Sequence, residues 1–145
     1  MGDRPRFACP MSFRADGSRY EKPRKVSIVR IEHVLAVVPV SDLAVSEVWY
    51  QKLFGRPADN NPMPVLVEWQ VVPGGWVQVF IDEKRAGSGL VNFAVDDLAA
   101  YVTEAASLGL APGEIEDVNK GVQLATLEDP DGNVVRLIGN FRVDY

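Results

Sequence analysis

The apolar positions fall into a repeating order of strand-like and helix-like stretches. Val26 to Val40 is β-branched and aliphatic, which predicts a strand. Ser41-Asp42 then offers short polar side chains to the free N–H groups of a first helical turn. Leu43, Val45, Val48, Trp49, Leu53 and Phe54 follow at helical spacing, and Gly55 supplies the stop. Pro57 to Pro64 reads as a loop, Val65 to Val72 as a strand, Pro73-Gly74-Gly75 as a turn and Trp76 to Ile81 as a strand. After a polar linker, Asp82 to Gly89, the order starts again. Leu90 to Val95 is a strand. Asp96-Asp97 caps a helix running through Leu98, Val102 and Ala105 to Leu108, with Gly109 at its end. A loop with Pro112 and Gly113 follows. Val122 to Leu127 and Asn133 to Ile138 are strands joined by the turn Asp129-Pro130-Asp131-Gly132.

The letters repeat as well as the order. VSDLAVSEVWYQKLFG (40–55) aligns with VDDLAAYVTEAASLG (95–109), and PGGWVQVF (73–80) with PDGNVVRLI (130–138), each with one gap. Two copies of a unit of roughly 50 residues are too small to bury their sheets separately. They are expected to share one core.

Before the first strand the chain changes character. Residues 1–25 show no period and are broken by Gly2, Pro5, Pro10, Gly17 and Pro23, which reads as an irregular extension ahead of a domain over 26–145. Residues 1–30 hold eight basic and three acidic residues, net +5, whereas residues 31–145 hold seven and seventeen, net −10. A body this acidic repels phosphate, so nucleic acid is not an expected partner. The basic stretch reads as a solvated tail or an interaction arm. The longest apolar run, Val34 to Val40, is far short of the ~20 residues of a membrane span. With one cysteine, Cys9, and no apolar signal-peptide core, the expectation is a cytoplasmic protein without a disulfide framework.

Three motifs, taken in order, resemble those of the vicinal oxygen chelate superfamily, which includes glyoxalase I, bleomycin-resistance proteins and extradiol dioxygenases. They are V-S-D-L followed by W-Y-x-x-L-F-G (Val40 to Gly55), F-A-V-D-D-L followed by S-L-G (Phe93 to Gly109), and D-P-D-G-N (Asp129 to Asn133). The resemblance covers about 29–140. It implies an α+β fold of two βαβββ modules, about 29–83 and 88–141, forming a curved mixed sheet around a cleft. It also implies a homodimer in many members. In the family's metal enzymes, four strands each place a His, Glu or Gln on the cleft face. The matching positions here are Leu35, Gln78, Leu90 and Arg136. Two leucines donate nothing and a guanidinium has no lone pair to give, so the resemblance points to the metal-free branch, with no cofactor.

Other residue types define the candidate site. Arg136 could hold an anionic group of a ligand through its bidentate fork, form an internal ion pair, with Glu68 as one partner, or face outward as a surface residue. Trp76 and Phe80 share a strand face with Gln78 and could form an apolar wall, with Trp69 on the neighbouring strand, or fill core or dimer seam. Asn92 faces the same side as Leu90. His33, the sole histidine, faces the same side as Leu35 and reads as a strand-edge or ligand-contacting residue; a bulge at Val37-Val38-Pro39 would carry it toward the ligand seat. Asp42, Asp97, Asp129, Asp131 and Asn133 read as cap and turn residues. The expected function is small-molecule binding in the cleft, with Arg136, Gln78, Trp76, Phe80, Asn92 and His33 contacting the ligand and no catalytic or metal-ligating residue. The alternative is a lyase, isomerase or dioxygenase of the same superfamily, with metal bound in shifted registers or with His33 as base and Arg136 stabilising an enolate.

Overall fold

The structure, a computed structural model, describes residues 29–142; the basic extension 1–25 and Cys9 lie outside the described residues. The chain divides into units 1–31 and 32–145. Every element lies in the second: β1 (Val34–Val40), α1 (Leu43–Phe54), β2 (Asn60–Met63), β3 (Leu66–Val72), β4 (Gly75–Ile81), β5 (Leu90–Val95), α2 (Leu98–Ser107), β6 (Glu116–Asn119), β7 (Val122–Glu128) and β8 (Val134–Gly139). These are two βαβββ modules in an α+β arrangement.

Each module forms its own four-stranded mixed sheet, in the orders β1-β4-β3-β2 and β5-β8-β7-β6. β1 runs parallel to β4 and β5 to β8, and the other pairs are antiparallel. The helices start and stop where the short polar side chains and glycines dictate. Asp42 accepts from the Val45 N–H at 3.2 Å, Asp97 accepts from the Ala100 N–H at 3.0 Å, and Gly55 takes φ 78° to end α1.

Three boundaries differ from the sequence reading. The loops expected over 57–64 and after Leu110 contain β2 and β6, four-residue strands exposed throughout. Neither alternates apolar and polar, and Pro62 is tolerated in β2 because that strand is a sheet edge. The first strand, expected from Val26, is present from Val34, where β4 begins opposite it at Gly75; the described residues before Val34 are not in a strand. The suggested bulge at Val37-Val38-Pro39 is absent, since the β1–β4 register runs unbroken from Val34 to Val40.

One core serves both modules. Val38, Val40, Val67, Trp69, Val77 and Val79 join Ala125, Leu127, Val135 and Leu137 in a single buried cluster with the helices. Phe54 on α1 meets Phe93 on β5 edge to face at 5.7 Å. Buried polar groups tie the modules at one corner. The Tyr50 hydroxyl donates to Asp129 Oδ2 at 2.8 Å, and Asn133 Nδ2 donates to the Pro39 carbonyl at 2.8 Å. Ser41 donates through its hydroxyl and its amide to Asp131. The turn D-P-D-G-N is thus turn chemistry, as its letters suggest, and also a clasp between modules. Among the described residues, no helix is long and apolar enough to cross a membrane.

Candidate ligand-binding faces

Each sheet turns one face to its helix and the shared core, and leaves the other open. Strand alternation assigns residues to these faces. In β4, Val77 and Val79 are buried in the core, while Trp76, Gln78 and Phe80 point the other way and are half-buried. In β8, Val135 and Leu137 are buried, while Val134, Arg136 and Ile138 take the open side. Five of the six candidate residues (Arg136, Gln78, Trp76, Phe80 and Asn92) therefore lie on open faces.

The register arranges the first open face in rows. Val37, Gln78, Glu68 and Asn60 stand opposite one another across β1, β4, β3 and β2. One row is Pro39, Phe80, Leu66 and Met63; the row on the other side is Leu35, Trp76 and Gln70. A polar line thus crosses a largely apolar surface. It is closed on itself by hydrogen bonds: Gln78 Nε2 donates to Glu68 Oε1 at 2.7 Å, and Asn60 Nδ2 donates to Glu68 Oε2 at 3.0 Å.

The second module repeats the geometry with different chemistry. Asn92, Arg136 and Thr126 form its polar row across β5, β8 and β7. Leu90, Val134 and Glu128 flank one side, and Ala94, Ile138 and Leu124 the other. None of the three polar side chains has a partner among the described residues, and the ion pair that Arg136 could have formed with Glu68 is not made. Gln78 and Arg136, which the repeat leads one to expect near each other across a cleft, occupy equivalent places on different sheets, and no hydrogen bond joins them.

His33 lies just before β1 and is exposed. Its Nδ1 accepts a hydrogen bond from Trp76 Nε1 at 3.1 Å, with the rings in a T-shaped arrangement 6.2 Å apart. The histidine thereby fixes the edge of one aromatic wall. Trp69, grouped with Trp76 and Phe80 by sequence, belongs elsewhere: it is fully buried on the helix side, donating Nε1 to the Arg56 carbonyl at 2.9 Å. Phe80, Val37 and Pro39 also line a hollow of about 420 Å³ completed by Asp82, Arg85 and Gly89 of the linker. A smaller hollow at the β6–β7 turn contains none of the candidates.

The four superfamily ligand seats can be placed as well. Leu35 pairs with Trp76 and Leu90 with Val134, so neither leucine stands in the row of Gln78 or Arg136. Among the described residues no three His, Cys, Asp or Glu converge. The seats together offer one amide oxygen, a donor set that does not fit a divalent ion.

In the sequence Glu68 stands out only as an ion-pair partner and Val37 only as part of a suggested bulge, and nothing there singles out Asn60 or Thr126. Alternation along 65–72 would have put Glu68 on the face of Gln70. Its junction with Gln78 and Asn60 depends on two strand registers, one of them in a stretch read as loop.

No protein-family model and no curated protein matches the sequence. Solved structures do match in three dimensions. A glyoxalase/bleomycin resistance protein from Catenulispora acidiphila is 26% identical with TM-score 0.69, over 74% of this chain and 96% of that one. A bleomycin-binding protein complexed with bleomycin is 22% identical with TM-score 0.64, over 75% and 98%. A lactoylglutathione lyase from Agrobacterium tumefaciens is 17% identical with TM-score 0.64, over 80% and 96%.

Proposed function

From a chain with the glyoxalase/bleomycin-resistance fold, whose solved neighbours are consistent with the vicinal oxygen chelate superfamily, we propose a metal-independent protein that binds a small molecule against its open sheet faces. The observation that carries this reading is the row Asn92–Arg136–Thr126, unpartnered among the described residues, on a face otherwise lined by Leu90, Ala94, Leu124, Val134 and Ile138, with Glu128 at its margin. A half-buried guanidinium with no internal partner is costly to hold, and an anionic group of a ligand would offset that cost through a bidentate pair. The apolar flanks suit a partly apolar molecule. The donor set at the ligand seats supports metal independence, and binding by enclosure requires no acid–base machinery. One solved neighbour is itself a complex with bleomycin.

A homodimer completes the site in this reading. β1 and β5 each pair on one side only and have a free edge. Along them Val34, Leu35, Val37 and Leu90 are 68, 50, 52 and 54% exposed. Unpaired, apolar strand edges are surfaces that soluble proteins cover, and a second copy would close each open face into a cleft. The single cysteine fits a cytoplasmic setting for this binding role.

A thermal-shift screen over small carboxylic acids, phosphates and aromatic drugs tests the proposal. A true ligand at 100 times its Kd raises stability by about 2.7 kcal/mol. Failure of every class to shift the transition would refute it, and so would a stoichiometric transition metal in protein purified without chelator.

A further inference from the structure

We infer that Glu68 is a positioning residue that makes the first open face a subsite for a cationic or hydrogen-bond-donating group of the ligand. The inference rests on the small-molecule reading above and specifies its chemistry.

A carboxylate only accepts hydrogen bonds. The Gln78 side chain approaches Glu68 Oε1 at 2.7 Å, so the atom facing Glu68 has to be the NH₂ nitrogen. The Gln78 carbonyl oxygen is then turned away from Glu68. That oxygen has no partner among the described residues, and it is not among the sealed, unsatisfied buried atoms, so it is open to the face. Asn60 repeats the arrangement on Glu68 Oε2 at 3.0 Å, which turns its amide NH₂ inward as well. Both amides have spent donors on the carboxylate. What remains outward-facing along the row is the amide carbonyl oxygens and the negative charge of Glu68, with no cation paired to it among the described residues.

The flanks fit the same partner. Trp76 and Phe80 stand on either side of Gln78 along β4, and an aromatic ring face attracts a cation. Residues 31–145 carry a net charge of −10, which draws cations toward the domain. The equivalent row of the second module, with Arg136 in place of Gln78 and Thr126 in place of Glu68, has the opposite preference. The two faces would therefore distinguish the two ends of an amphoteric molecule: an amine, amidine or amide N–H end at Glu68–Gln78, and an acidic end at Arg136.

The test uses three aromatic probes of one shape, phenethylammonium, 2-phenylethanol and phenylacetate, titrated into the ¹⁵N-labelled full chain and followed by NMR. Phenethylammonium is expected to shift the Trp76 indole and Gln78 side-chain signals saturably, about tenfold more tightly than the alcohol. Glu68→Gln, which preserves shape and removes the charge, should bring that ratio to about one and move the Gln78 NH₂ signals in the free protein, while the folded spectrum elsewhere persists. The second readout reports the Gln78–Glu68 contact in the free protein, so it stands even if binding is weak. Equal affinity of the ammonium and the alcohol in the wild type, or an unchanged preference and unchanged Gln78 signals in Glu68→Gln, would overturn the inference while leaving small-molecule binding intact. Absence of binding by phenethylammonium would overturn the inference, while small-molecule binding itself stands or falls on the wider thermal-shift screen.

Discussion

Arg136 in β8 stands where Gln78 stands in β4, one residue per copy of a duplicated module, yet their neighbours across the sheet give them opposite states. Gln78 is opposite Glu68 and bonded to it at 2.7 Å, whereas Arg136 is opposite Thr126 and bonded to nothing described. One row is cross-linked through its amide N–H groups, and in the other no side chain is bonded to another described residue. The open row dominates the first prediction.

Arg136→Ala should abolish stabilisation by anionic ligands in the thermal-shift assay. The fold should survive, because no internal hydrogen bond or ion pair among the described residues is lost; the change in unfolding free energy should stay within about 0.5 kcal/mol. An undiminished response to acids in the variant would remove the anchoring role.

Val37 offers a test of the closed cleft. It is 52% exposed on a strand whose outer edge is unpaired. Val37→Lys places a charge on that edge, and light scattering during gel filtration should show the particle mass halve relative to the wild type. A wild-type protein that runs as a single chain at all concentrations would contradict the dimeric site.

Tyr50 predicts a pH dependence. Burial, and then the Asp129 carboxylate that its hydroxyl bonds, push the Tyr50 phenol far above its usual range. Below the ordinary phenol value of about 10, folded and unfolded chains both hold the proton and the stabilisation is complete. Above it only the unfolded chain releases the proton, so stability falls as pH rises, by at most about 1.4 kcal/mol per pH unit from this group. Denaturant titrations from pH 7 to 11 should show this slope in the wild type and a smaller one in Tyr50→Phe. At pH 7 the variant should be about 1–3 kcal/mol less stable, because Asp129 loses a buried donor.

Asn133 holds the inter-module corner with three groups at once: it donates to Pro39 and Asp129 and accepts from the Gly89 N–H at 2.6 Å. Asn133→Asp keeps the shape but removes both donors and sets a second carboxylate against Asp129. The expected loss is about 3 kcal/mol or more in equilibrium unfolding, far beyond a surface substitution. A neutral result would mean that the corner does not lock the modules.

Much of the architecture is written locally. The two capped helices at Asp42 and Asp97, the glycine at their ends and the alternation that puts Trp76, Gln78 and Phe80 on one face follow from steric and hydrogen-bonding rules acting over a few residues, so both modules and their duplication are legible in the letters alone. The short edges β2 and β6 are not, because an exposed edge strand needs neither apolar alternation nor high propensity. Nor is the chemistry of the open faces. Trp69 and Trp76 are equally aromatic, and only packing sends one to the core and the other to the surface beside His33. The clasp of Asn133 on Pro39 joins positions 94 residues apart. Local sequence determined the elements and their order; the tertiary structure decided which side chains meet, because strand register and module packing are set by long-range burial and pairing that no short stretch of chain encodes.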